Sequence, residues 1–223
     1  MNSKDKLKFI DDLTIVYQNS IQLLLDRGYS DDTISVHTSN ELLSFKIQRF
    51  IEENKSSYID ISVYQENKTY IKFFLGEPYI PTKIKFKLLE DEYNFIKNLI
   101  NMDESDEIIF VFVTEKISDD ENNILRDFEI KYQNVRTFHY KSLFLNISRH
   151  KLVPKHILYN DNEDKLLNIL QIKNKEQLPY ILHQDPICKY YNFKLNQIVK
   201  IIRPSIGNKS HIVYRVVKNE STD

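Results

Sequence analysis

Few residues in this chain have types and spacings that could do chemistry. Asp60 lies in a stretch that alternates apolar and polar side chains, and Glu66-x-Lys68 follows shortly after it. A strand carboxylate followed by an E-x-K pair is how some metal-dependent nucleases gather Mg²⁺ and a charge-stabilising lysine. In such sites the E-x-K pair sits inside the second strand. Here it falls in the polar break Gln65-Glu66-Asn67-Lys68, where any hairpin carries solvated residues. His150 and His156 are spaced so that one helix face cannot hold both, and they read as surface histidines rather than metal ligands. Cys188, the one cysteine, follows Ile187 in a helical stretch and reads as a packed thiol rather than a nucleophile. A lone cysteine also excludes an internal disulfide and a cysteine-based zinc cluster. No G-x-x-x-x-G-K-[ST] loop and no H-E-x-x-H is present, and three scattered glycines cannot build a dinucleotide loop. No catalytic residue, metal, cofactor or small-molecule substrate is therefore assigned. A metal-dependent nuclease-like domain over residues 55–140 stays as an alternative, as does a free DNA- or protein-binding factor.

The bulk composition fits a globular chain of one large or two small domains. It has 223 residues, 41% of them hydrophobic, with 14 Tyr and 13 Phe to fill a core. Charge is unevenly divided. Residues 1–147 hold 18 Lys and Arg against 25 Asp and Glu, net −7; residues 148–223 hold 13 against 7, net +6. Such asymmetry suggests two surfaces with different partners. The acidic part cannot by itself neutralise phosphates, whereas the basic part could meet a duplex or an acidic protein surface. The opening MNSKDKLKFIDDL is charged throughout, without the apolar core of a signal peptide, and no apolar run approaches the length of a spanning helix. No membrane partner is expected. Plentiful Ile, Asn, Lys and Tyr with scarce Gly fit an AT-rich genome, and the single cysteine fits a reducing compartment.

The elements that must position these residues follow from periodicity. Over residues 8–25, Phe9, Ile10, Leu13, Val16, Ile21, Leu24 and Leu25 recur at helical spacing, and Gly28 stops the helix. Thr38-x-x-Glu41 is a capping box opening a second helix with a stripe of Leu42, Leu43, Ile47, Phe50 and Ile51. From Tyr58 the period becomes two. Ile59, Ile61 and Val63 take one face, Asp60, Ser62 and Tyr64 the other, and residues 69–75 complete a hairpin. Residues 88–100 return to helical spacing, and 107–113 form a buried strand. Ser118 to Glu121 is a second capping box, followed by a helix and a strand at 135–140. A boundary falls in residues 146–154, where the charge reverses. Beyond it lie helices at 162–170 and 185–191 and strands at 197–202 and 211–217 around a Pro-Ser-Ile-Gly turn. The expected fold is an α/β N-terminal domain, 1–147, followed by a small α+β C-terminal domain, 148–223.

The C-terminal residues also carry a resemblance. His150-Lys151-Leu152-Val153-Pro154-Lys155-His156, Leu178-Pro179, Asp185-Pro186-Ile187-Cys188-Lys189-Tyr190-Tyr191, the run from Gln197 to Ser205 (QIVKIIRPS) and Tyr214-Arg215 occur in order. Together they closely resemble the assembly domain of the fifth-largest subunit shared by eukaryotic nuclear DNA-directed RNA polymerases, a family that includes a shorter archaeal counterpart. Asp26-Arg27-Gly28-Tyr29 and residues 143–147 (LFLNI) extend the likeness upstream, which points to the eukaryotic form with its added N-terminal jaw domain or to a virus-encoded copy. The resemblance implies a non-catalytic subunit whose assembly domain anchors to the largest subunit and whose jaw domain lies near downstream duplex DNA. It implies a partner-binding set of His150, Pro154, Lys200, Arg203 and Arg215, and a DNA-proximal loop at Lys116 and Ser118. It places the protein in the nucleus if cellular, or in a cytoplasmic virus factory or virion if viral. The sequence departs from the family at Asn192 and Asn196, where glycines are usual, and at Ser118-Asp119-Asp120-Glu121, whose three carboxylates repel phosphate. Asn tolerates the left-handed backbone, so both turns are expected to survive. Val199 and Ile201 should share a buried strand face, and Asp185-Pro186 should begin a helix.

Overall fold

A computed structural model of the chain describes residues 3–34, 40–53, 55, 59–76, 83–204 and 210–219. Thr38, Tyr58 and residues 205–207 of the expected turn lie outside them, as do the side chains of Glu41 and Leu42. The chain divides into two compact units, Met1–Leu145 and Asn146–Asp223.

The first unit is a sheet between two helical layers. Its strands β1 (Ile61–Tyr64), β2 (Lys68–Leu75), β3 (Glu107–Val113) and β4 (Val135–His139) lie in that order. β1 runs antiparallel to β2, and β2, β3 and β4 are mutually parallel. The parallel pairs are joined through α3 (Phe86–Leu99) and α4 (Asp119–Lys131), the crossover that parallel neighbours require. Central β3, EIIFVFV, is buried at all seven positions, which is why its sequence does not alternate. On one face Phe110 and Phe112 pack with Leu89, Tyr93 and Ile96 of α3 and Leu125 and Phe128 of α4. On the other, Tyr17 of α1 (Ser3–Asp26) stacks on Phe73 at 6.0 Å, where burial pushes its hydroxyl up to about 12. α2 (Asn40–Glu53) packs along α1, burying Leu43, Ile47 and Phe50.

The Asp26-Arg27-Gly28-Tyr29 motif locks α1 to the sheet. Gly28 has φ +97°, and the amides of Gly28 and Tyr29 return to the carbonyls of Leu25 and Leu24. Arg27 then pairs with Glu107 at the start of β3, both side chains 5% exposed, and the Tyr29 hydroxyl meets Thr69 at 2.6 Å. The second capping box forms as expected: Ser118 accepts from the Glu121 amide, and Glu121 accepts from the Ser118 amide.

The second unit carries a four-stranded mixed sheet in the order β5 (Lys155–Leu158), β7 (Ile198–Pro204), β8 (Ser210–Lys218), β6 (Tyr180–Leu182). Periodicity finds β7 and β8 but neither β5 nor β6. Those strands have four and three residues, too few to establish a period. Two short helices, α5 (Glu163–Leu170) and α6 (Pro186–Tyr191), complete the unit. Among the described residues no helix is long and apolar enough to cross a membrane.

Candidate partner-binding surface of the C-terminal unit

The run from Ile198 to Pro204 occupies an interior strand, so both of its faces are set by register. Val199 pairs with Leu158 and Arg215, and Ile201 with His156 and Val213. Paired residues share a face. This face is filled by α6: Val199, Ile201 and Val217 pack with Ile181, Ile187, Cys188 and Phe193. Cys188 is fully buried, as a packed thiol should be. Asp185 caps α6 by accepting from the Ile187 amide at 2.8 Å, with Pro186 in its first turn. Asn192 ends the helix at φ 55°, and Asn196 turns into β7 at φ 64°, the two left-handed positions anticipated where glycine is usual.

The opposite face divides in two. At one end α5 covers Ile198 and Val216, with Leu166 and Leu178 buried between them. Beyond that lie two cross-strand rows, Lys155, Ile202 and Ile212, then Ile157, Lys200 and Tyr214, of which, among the described residues, only Tyr214 packs against that cluster. Ile157 is 37% and Ile212 42% exposed. Tyr159 meets Tyr214 edge to face at 5.6 Å, at the border between the covered and open halves.

The five residues expected to touch a partner do not fall in one patch. Lys200 stands half-buried in the open row between Ile157 and Tyr214. Arg203 and Arg215 lie on the α6 side. Arg203 is exposed and in register with His211, whereas Arg215 is half-buried and donates to the Tyr180 carbonyl at 2.8 Å. The Arg215 Nε is buried with no hydrogen-bond partner. His156 lies within reach of both cations. Burial lowers its pKa, the hydrogen bond to the Pro154 carbonyl at 2.7 Å and Asp185 oppose this, and Arg203 and Arg215 add to it. Pro154 thus serves through its carbonyl. His150 is exposed, its Nδ1 accepting from the Leu152 amide. Periodicity and motif missed Lys155, Ile157, Ile202, Ile212 and Tyr214 as a surface. The alternation of Ile212, Tyr214 and Val216 was a usable signal, but without β5 nothing showed that Lys155 and Ile157 lie alongside.

In the first unit, Lys116 and Ser118 are both exposed, and the first turn of α4 places Asp119, Asp120 and Glu121 beside them. The nuclease constellation does not assemble. Asp60 accepts from the Tyr70 hydroxyl at 2.8 Å and the Phe73 amide at 3.2 Å, and its nearby lysine is Lys72. Lys68 instead donates to the carbonyls of Ile100 and Asn101 at 3.0 and 2.7 Å, neutralising the negative end of α3. Glu66 is exposed in the bend between the strands. No group of three His, Cys, Asp or Glu side chains among the described residues could hold a metal.

A family match falls on this same unit. Residues 145–217 match the family described as RNA polymerase Rpb5, C-terminal domain. A subunit named for DNA-directed RNA polymerases I, II and III in Dictyostelium discoideum is 44% identical over 80 residues, covering 35% of this chain and 40% of that protein. One named for RNA polymerases IV and V in Arabidopsis thaliana is 36% identical over 97 residues, 43% of this chain and 44% of its own length. One from Caenorhabditis briggsae, again of polymerases I, II and III, is 41% identical over 76 residues, 34% of this chain and 36% of that protein. The chain thus spans well under half the length of these relatives. The signature strand, the Asp185-Pro186 cap and the closing Tyr214-Arg215 all lie inside residues 145–217, the segment of this chain that is similar to the Rpb5 C-terminal domain family.

Proposed function

We propose that this chain is a non-catalytic subunit of a multisubunit DNA-dependent RNA polymerase. The ordered motifs from His150 to Arg215, inside the segment matched to the Rpb5 C-terminal domain family, together with the likeness to polymerase subunits, carry this reading. In it the C-terminal unit, residues 148–223, is an assembly domain anchored on the largest subunit. The N-terminal unit, residues 1–147, forms part of the lower jaw beside downstream duplex DNA. Bond-making belongs to the two largest subunits, and the site of action is the nucleus. His150, Pro154, Lys200, Arg203 and Arg215 contribute to the anchor. Arg203 supports this best, because an exposed guanidinium at a strand end can make a forked contact with a partner carboxylate. Lys116 and Ser118 form the part of the jaw nearest DNA. The acids of α4 beside them keep that contact weak outside the assembled enzyme.

Affinity purification of the tagged protein followed by mass spectrometry tests the reading. Other polymerase subunits should be recovered with it in stoichiometric amounts, and Arg203→Glu should lower that recovery while the purified protein stays folded. Migration of the native protein as a free monomer, with no transcribing complex, would overturn it.

A further inference from the structure

We propose that the open half of the C-terminal sheet, on the side that α5 covers only in part, docks an acidic protein segment that carries aliphatic side chains. This rests on the subunit reading and adds to it the face used and the chemistry of the partner. A face left to water in an antiparallel sheet ordinarily presents polar residues. Here the two open rows present Ile157, Ile202 and Ile212 beside Tyr214. Single exposed aliphatics are ordinary, but here exposed Ile157 and Ile212 flank half-buried Ile202 as its diagonal and cross-strand neighbours, so the three make one apolar patch.

Lys155 and Lys200 punctuate that patch, and neither row contains a carboxylate. The surrounding residues 148–223 carry a net charge of +6. Lysine stems can lie along the isoleucines while their ammonium groups reach beyond them. The surface therefore offers aliphatic contact interspersed with cations. A duplex is the poorer match, because three isoleucines between two lysines interrupt a phosphate track. An acidic segment with spaced Leu, Ile or Val side chains satisfies both features at once.

The test uses the full-length tagged protein in cells. Wild type should recover the other polymerase subunits. Lys155→Glu combined with Lys200→Glu should reduce that recovery about tenfold, since like charges would then face the partner's acids. Ile212→Thr keeps a β-branched strand residue and no lysine is altered, so it should cause a several-fold loss with an unchanged thermal melt. Lys165→Glu combined with Lys173→Glu changes net charge equally at exposed positions outside the two rows and should leave recovery intact. Full recovery with the first variant, or equal loss with the charge-matched control, overturns the docking face alone. Failure of wild type to recover any polymerase subunit sinks the subunit reading and this face with it.

Discussion

The two units solve the problem of covering a sheet differently. In the first, helices lie on both faces, β3 is buried throughout, and charges that enter the interior are paired there, as Arg27 is with Glu107. In the second, α6 covers one face and α5 only half of the other, leaving isoleucines and lysines on the remainder. A sheet that covers itself needs no neighbour for its stability. One that leaves an aliphatic half-face has surface to give to an interface. The contrast also orders the charges: the acidic unit uses some of its charge internally, whereas the basic unit displays Arg203, Lys155 and Lys200 at or near its surface.

The sharpest way to break this contrast is to damage the interior of the first unit. Arg27→Met should cost about 3–5 kcal/mol, because it strands Glu107 as an uncompensated buried charge. One Glu107 oxygen already lacks a hydrogen-bond partner, so little is available to replace the guanidinium. Native-state amide exchange read by mass spectrometry should show lost protection in β2 and β3 and unchanged protection in β7 and β8. Equal loss in both units would show that they do not stand independently.

Much of this architecture was legible because long elements carry a clear period. The stripes of α1 and α3, the uninterrupted apolar run of β3 and the Ser118 capping box each state their structure locally. The left-handed turns at Asn192 and Asn196 could be anticipated because few residues other than Gly and Asn fit that backbone. What could not be read was pairing between distant short segments. Lys155–Leu158 becomes a strand only because β7 lies beside it, and Lys200 faces away from Arg203 and Arg215 because strand parity separates them. Lys68 shows the same limit. Its spacing from Glu66 suggested chemistry, but tertiary structure turns it onto the end of α3.

A smaller effect should appear on the α6 side of the second sheet as pH falls. The folded state holds the His156 pKa below that of a free histidine, mainly through burial, with Arg203 and Arg215 adding to it while the Pro154 carbonyl and Asp185 act against it. The unfolded chain therefore takes up this proton first. The stability that His156 contributes is complete above its unfolded value of about 6.5 and is lost as pH falls from there toward the folded value. Urea unfolding at pH 7.5 and pH 6 should show wild type losing more stability on acidification than His156→Gln. Identical losses would place the pH response elsewhere, for which His139 of the first unit, its pKa also lowered by burial, is the natural candidate.

The mildest change separates two of the ways in which helices of this chain end. α1 ends on Gly28, at no steric cost, while α6 ends on Asn192 in a left-handed conformation that disfavours a side chain. The Asn192 Oδ1 is buried without a hydrogen-bond partner, a further cost of about 1–3 kcal/mol. Replacing it with glycine removes both penalties but adds chain entropy to the unfolded state, worth about 0.5–1 kcal/mol in the opposite direction. The removed penalties outweigh that entropy, so Asn192→Gly should raise stability by about 1 kcal/mol, and Asn192→Ala, which also loses the orphaned oxygen but keeps the left-handed strain, should be less stable than the glycine variant by about 1 kcal/mol. Urea midpoints of the full chain measure both. A fall for the glycine variant would mean that the Asn192 amide nitrogen holds a contact stronger than the strain and the orphaned oxygen combined.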